Sequence, residues 1–294
     1  MLIPVFNYSV RSLVEGLQRQ IRSLDVPVEI LVFDDHSPQV FGNAELPGIG
    51  YERLAENVGR SKIRNLLAER ARYPYLLFLD ADASVVRADF LQTYINALES
   101  NTVLCGGLTY AAQPPTDPAL LLRWHYGQQR EVRPLYERQR APYASFSSFN
   151  FGIPRDIFHA LRFDESLTEY GHEDTLFGRE LQHRNIPIHH LDNPLRHDGL
   201  EPADVFLNKT ATAVRGLIRL NREEVRLPTK LWRTHAALRR KRLDGMVRLF
   251  LPRPAYWRNF LQRHPSKIWA MDLYKLGLLL NPTTKSPHYP TTKK

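Results

Sequence analysis

Apolar residues fall in short runs separated by stretches with helical spacing. Residues 2–6 (LIPVF) form a continuous apolar run of strand length. From Ser9 the period changes: Val10, Leu13, Val14, Leu17, Ile21 and Leu24 share one helical face, with Ser9 placed to cap it. Residues 28–33 (VEILVF) are a second β-rich run, ending at Asp34-Asp35. A loop carrying Gly42, Pro47, Gly48 and Gly50 follows, then a helical stretch over residues 61–71 and a third strand, Tyr75–Leu79. Largely apolar strands alternating with helices predict a parallel sheet covered by helices. Ligands of such sheets collect beyond the carboxyl ends of the strands. Asp34-Asp35 and the pair Asp80/Asp82 both stand at such ends.

The middle of the chain is less regular. Residues 111–118 (AAQPPTDP) read as a loop and residues 119–140 as helical. Residues 142–152 (PYASFSSFNFG) read as a strand pair or an active-site loop. Arg155–Leu161 and residues 175–184 read as helices, the second starting just after Glu173-Asp174. Beyond residue 200, apolar and cationic residues interleave at helical spacing: Leu243, Met246, Val247 and Phe250 follow Arg239, Arg240, Lys241 and Arg242.

Charge changes the picture more than composition does. A hydrophobic fraction of 43% and a charged fraction of 24% are ordinary for a globular chain. The net charge of +9, however, is unevenly spread: residues 201–294 hold 20 Lys/Arg against 6 Asp/Glu, and residues 1–200 hold 20 against 25. This switch predicts two parts, residues 1–200 and a basic, mainly helical region over residues 201–294, the latter facing something anionic. Three readings are open: helices packed on the first part with a solvated basic face, an interfacial helix pair on an anionic membrane surface, and nucleic acid, which fits on charge alone with no base-reading motif beside it and is the least favoured. The single cysteine, Cys105, excludes an internal disulfide. No apolar run reaches the roughly 18 residues that span a bilayer, and the start lacks a secretory pattern, so the expected location is cytoplasmic, or peripheral at the inner face of the cell membrane.

Five short stretches can carry chemistry. In an extended chain, residues i and i+2 point the same way, so Asp80 and Asp82 of FLDAD would face one point and need a cation between them. A divalent ion with oxygen ligands, Mn²⁺ or Mg²⁺, itself holding a diphosphate, answers that need. The same residue types also serve as a helix cap at a strand–helix turn. Asp34-Asp35-His36-Ser37 offers carboxylates to a nucleoside, or a turn and cap. Glu56-Asn57-Val58-Gly59 with Arg64 supplies amide, backbone and guanidinium groups for nucleotide and phosphate contacts. Gly171-His172-Glu173-Asp174 places carboxylates in a first helical turn, where the dipole favours them without any function, or where one serves as general base. His197, in LRHDGL, is an imidazole that can complete a metal site or serve as a surface or packing residue.

Taken together and in this order, IPVFN, DDHS, ENVG with a following RN, FLDAD and GHED resemble the family 2 glycosyltransferases of the GT-A fold, over roughly residues 1–200. The stretch FNFGIPRDIF…FDESLTEYGHEDTLFGREL resembles bacterial members that build polysaccharides. The resemblance implies an α/β GT-A fold and an inverting, metal-dependent transfer from a nucleoside-diphosphate sugar, with a UDP-sugar favoured, to a glycan or lipid-linked hydroxyl. It implies nucleotide-sugar contacts from Pro4, Asp34, Asp35, Asn57, Gly59, Arg64, Asp80 and Ala81. It implies metal ligands in Asp82 and His197, acceptor contacts from Glu173 and His172, and the catalytic base in Asp174. A non-catalytic binding module of the same fold is the alternative. A nucleotidyltransferase is disfavoured, because PVFNYSVRS lacks the Gly-rich, cationic turn expected there.

Overall fold

The structure, a computed structural model, describes residues 1–167, 171–222, 227 and 229–281. They divide into two compact units. The first holds residues 1–116, the chain from 126 through Leu161 and beyond, and residues 172–200; the second holds residues 117–125 and the helices after residue 200.

The first unit is built on a seven-stranded sheet of order β3-β2-β1-β4-β8-β6-β9. Its strands are β1 (Leu2–Val5), β2 (Leu31–Asp34), β3 (Gly50–Arg53), β4 (Tyr75–Leu79), β6 (Val103–Cys105), β8 (Asn150–Pro154) and β9 (Ile188–His190). All pairings are parallel except those of β8, which runs antiparallel to β4 and β6. A small second sheet joins β5 (Ala83–Ser84), β10 (Leu195–His197) and β7 (Leu108–Thr109) in the order β5-β10-β7.

Alternation along the strands fills both faces of the large sheet. Leu2, Phe33, Phe78 and Phe151 point to one side, against Ile63 and Leu67 of α2 (Arg60–Arg70), Phe158 of α6 (Arg155–Leu161) and Phe177 of α7 (Glu173–His183). Phe78 and Phe151 stack across the strand pair with centroids 4.8 Å apart. Ile3, Val32, Leu79 and Leu104 point to the other side. There they meet Leu13, Val14 and Leu17 of α1 (Arg11–Ile21) and Phe90, Leu91 and Tyr94 of α3 (Phe90–Asn96).

Several expectations shift by a residue or more. The first helix is capped at Val10, not Ser9, and the Val10 amide donates to Asn43 Oδ1 from a distant loop. The segment read as loop up to Gly50 ends in β3, an edge strand with little apolar character, held by its register against β2. The helix read over residues 119–140 is broken into α4 (Leu121–Tyr126), a π-helical turn over Gly127–Glu131 and α5 (Leu135–Arg140), with Pro134 at the second break.

Pro4 sits on a central strand, where a missing N–H normally costs a ladder bond. Here β1 pairs with β4 only at Leu2–Phe78, so β1 and β4 part beyond that point. The chain turns to one side of β1 for β2 and β3, then to the other for β4. The parting is therefore the topological switch point, where a parallel sheet opens a crevice for ligands.

The second unit is helical: α8 (Ala203–Arg222), α9 (Lys230–Arg240), α10 (Asp244–Phe250), α11 (Pro254–Arg263) and α12 (Trp269–Leu280). Trp257, Leu261, Ile268, Met271 and Tyr274 are buried, and Tyr274 Oη donates to the Leu207 carbonyl at 3.2 Å. Much of the apolar sequence after residue 256 thus packs helix on helix. Among the described residues no helix is long and apolar enough to cross a membrane.

Candidate active site

The site forms where β4 ends. Asp80 and Asp82 do not continue an extended strand, as i, i+2 spacing suggested. The Ala83 amide donates to the Asp80 carbonyl at 3.2 Å, closing a tight turn through Ala81, while the Asp80 amide donates to the Phe149 carbonyl, just before β8, at 3.0 Å. The turn sends the two carboxylates to different partners. Asp80 Oδ1 accepts from Arg64 Nη2 at 2.5 Å. Asp82 Oδ2 lies 3.5 Å from His197 Nε2.

Strand register brings His197 there. In the small sheet His197 pairs with Ala83, the residue after Asp82, and the Asp198 amide donates to the Asp82 carbonyl at 2.8 Å. The imidazole is sandwiched between Tyr110 and Phe149, at centroid distances of 5.2 and 5.3 Å, which fixes its plane. Its Nδ1 is buried with no hydrogen-bond partner among the described residues. Gly199 closes the wall: a Cβ there would run into Asp82 Oδ2. Beside it, Asp198 is neutralised by Arg196 at 2.6 Å and by the Ser84 hydroxyl.

Burial pushes the Asp82 carboxyl above the usual range, and Asp80 pushes it the same way; His197 and Arg60 oppose them. The Tyr8 phenol of the β1–α1 loop is likewise raised, by burial first and then by Asp82 and Asp198. Negative charge is thus concentrated at this end of the sheet, which suits a hard cation. Among the described residues no three His, Cys, Asp or Glu side chains converge as a metal cage. Asp82 and His197 could offer one oxygen and one imidazole nitrogen, a set that fits a hard divalent ion completed by phosphates and water.

Asp174 stands in the first turn of α7, after a turn in which Gly171 and His172 have φ of 101° and 75°. Its Oδ2 accepts from the Ser148 amide at 3.1 Å, whereas its Oδ1 is cut off from solvent and has no hydrogen-bond partner among the described residues. Burial, with Glu173 alongside, pushes Asp174 up to about 6, against the pull of Ser148 and Arg64. Glu173 Oε1 lies 3.6 Å from Arg60 Nη1. The opening turns of α2 therefore serve both acidic groups: Arg60 acts on Glu173 and Asp82, and Arg64 on Asp80 and Asp174.

Asp34 and Asp35, at the end of β2, are buried and turned inward. Asp34 accepts from the Ser37 amide at 2.7 Å and from Tyr51 Oη at 3.2 Å. Asp35 accepts from the Val58 and Gly59 amides at 2.6 and 3.0 Å, and Asn57 Nδ2 donates to its carbonyl at 2.9 Å. Asp35 ties down the 57–59 loop that opens α2, while Asp34 holds the turn at Ser37 and Tyr51 of β3. Gly59, at φ 86°, takes a backbone conformation that a side chain would strain.

Sequence reasoning brought Asp80, Asp82, Asp174, His197 and Arg64 into play. It passed over Arg60, Tyr8, Ser148, Asp198 and Gly199. Arg60 was within reach, because a cation one residue after Asn57-Val58-Gly59 lands in the first turn of the helix that follows.

The mostly parallel sheet flanked by helices is of the GT-A type. A model of Glycosyl transferase family 2 matches residues 1–161, more than half of the chain. The chain belongs to that family and is a glycosyltransferase. No match is found among curated protein sequences. Among solved structures, the mannosyltransferase PcManGT from Pyrobaculum calidifontis, in complex with GDP-Man and Mn²⁺, is similar at 15% identity and a TM-score of 0.56. That alignment covers 96% of this chain and 86% of the mannosyltransferase. TarS of S. aureus aligns at 17% identity and a TM-score of 0.48, covering 74% of this chain; the chain spans 39% of the length of TarS.

Proposed function

We propose that the protein is a metal-dependent, inverting glycosyltransferase that takes its sugar from a nucleoside diphosphate and delivers it to a hydroxyl of a glycan or lipid-linked acceptor in surface-polysaccharide synthesis. The observation that carries this reading is Asp174: a carboxyl in the site with one oxygen pinned by Ser148, the other buried and unpartnered, and an affinity for protons raised to about 6. A base of that strength is ionised at neutral pH yet takes a proton readily.

In this reading the nucleoside lies at the switch point, on the shelf of Pro4, Asp34, Asp35 and the Asn57–Gly59 loop. Asp80 and Ala81 meet the ribose and diphosphate, and Asp82 with His197 would hold a divalent ion. A bound Mn²⁺ or Mg²⁺ supplies Lewis-acid neutralisation of the charge that develops on the leaving diphosphate. Arg60 and Arg64 add fixed positive charge on the same side. Glu173 and His172 orient the acceptor, whose hydroxyl gives its proton to the Asp174 carboxylate. The oxygen attacks the anomeric carbon from the face opposite the diphosphate, the carbon–oxygen bond to the diphosphate breaks, and the leaving group keeps the electron pair. The configuration at that carbon is inverted. The donor's base is either uracil or guanine: the resemblance favours UDP, and the similar mannosyltransferase was solved with GDP-Man.

The test is incubation with Mn²⁺ and a panel of UDP- and GDP-sugars, reading released nucleotide and, by NMR, the anomer formed. Release from one donor, abolished by chelator and giving the inverted anomer, is the expected result. Retention of configuration, or turnover indifferent to chelator, contradicts the reading.

A further inference from the structure

The helical second unit carries a surface that its own packing does not explain. In α10 the residues Leu243 and Val247 are partly covered, and Leu251, just past the helix end, reaches toward Gly277 of α12. The opposite side is apolar as well. Met246, Leu249 and Phe250, at i, i+3 and i+4, form one stripe, with exposures of 52%, 78% and 76%. Large apolar side chains left in water this fully, three on one short helix, mark an interaction site rather than a solvated surface.

What surrounds the stripe identifies its partner. Between residues 239 and 258 the chain holds seven Lys/Arg and one acid, Asp244. Arg239, Arg240, Lys241 and Arg242 precede the stripe, Arg248 lies within it and Arg253 follows; all six are exposed, and none forms an ion pair with a carboxylate among the described residues. Tyr256 is exposed nearby at the start of α11. A protein partner of ordinary composition would have to match six cations around a greasy centre. An anionic bilayer matches both at once: acyl chains take the stripe, phosphates take the cations, and a tyrosine suits the boundary between them. Each Lys/Arg held near such a surface raises partitioning by about fivefold.

We propose that the outward face of α10, with its cationic flanks, docks on an anionic lipid surface. The stripe enters the headgroup boundary side-on and does not span it. Docking would hold the enzyme where lipid-borne acceptors are displayed, but the surface stands on its own chemistry and does not depend on which sugar is moved.

The experiment is co-sedimentation of the full-length protein with phosphatidylcholine vesicles, with and without phosphatidylglycerol, alongside L249E/F250E, L249A/F250A and R239E/R240E. Both apolar positions are exposed, so thermal midpoints should stay at the wild-type value. Wild type should bind the anionic vesicles and leave the neutral ones. L249E/F250E should partition at least about tenfold more weakly, L249A/F250A should be intermediate, and R239E/R240E should weaken binding in proportion to charge. Equal partitioning of wild type and L249E/F250E overturns the proposal, as does equal binding to neutral and anionic vesicles. Light scattering closes the remaining route: a wild-type dimer that L249E/F250E dissociates, without vesicle binding, assigns the face to a second copy of the chain and overturns it too.

Discussion

Arg64 donates from Nη2 to Asp80 Oδ1 at 2.5 Å while its charge also draws down the proton affinity of Asp174. One buried guanidinium, only 4% exposed, thus links the carboxylate at the end of β4 to the one at the start of α7. The two halves of the site are tuned by a shared cation rather than separately.

Replacing Arg64 removes that pull. Arg64→Met should move the acidic limb of the pH–rate profile upward from its wild-type position near 6, because Asp174 then ionises at higher pH. Arg64→Lys keeps the charge and should hold the limb near its original place. Rate profiles between pH 5 and 8, about the range over which such a group titrates, decide between these outcomes.

Asp174 is held at a cost to stability. Its affinity rises from 3.8 to about 6 on folding, so the folded state binds a proton more tightly than the unfolded one. The protein is therefore stabilised below 3.8 relative to higher pH, and that advantage is lost as pH rises through about 6. Asp174→Asn, which cannot ionise, should unfold at higher denaturant than wild type at pH 7, by on the order of 1–2 kcal/mol, while losing turnover. Chemical denaturation at pH 5 and pH 7 checks it; the gap should narrow at the lower pH.

Gly199 carries no functional group, yet its Cα faces the Asp82 carboxylate so closely that a methyl cannot be accommodated. Gly199→Ala should displace Asp82 and destabilise by about 1–3 kcal/mol, with loss of Mn²⁺-stimulated activity resembling that of Asp82→Ala. Thermal unfolding and Mn²⁺ titration of both variants make the comparison.

His197→Ala removes the imidazole 3.5 Å from Asp82 and empties the slot between Tyr110 and Phe149. The Mn²⁺ concentration for half-maximal activity should rise about 10–100-fold. An unchanged Mn²⁺ requirement would assign the histidine to packing alone.

The parts of the molecule legible in the sequence are those written in period and order. Leu76–Leu79 announced a central strand, and β4 is the middle strand of the seven. Alternating strands and helices gave the parallel sheet. Less legible was whatever depends on register or on a turn. Spacing alone pointed Asp80 and Asp82 the same way; one backbone bond from Ala83 separates them. His197 reaches Asp82 only through the pairing of two short strands that lie far apart in the chain, Ala83 opposite His197 and Ser84 opposite Arg196. Asp34 and Asp35 illustrate the opposite limit. Their residue type suited a ligand or a turn, and the structure gives all four oxygens a protein donor. The β3 edge strand carries too little apolar character to be read without its neighbour.

The most direct test separates binding from chemistry. Nucleotide-sugar binding by calorimetry in the presence of Mn²⁺, followed by turnover of the same samples, should be measured for wild type, Asp82→Ala and Asp174→Asn. The account predicts that Asp82→Ala loses both Mn²⁺-dependent binding and turnover, whereas Asp174→Asn binds donor as wild type does and turns over at least about a thousandfold more slowly. An Asp174→Asn protein that retains turnover would contradict the assignment of the base, and with it the central claim.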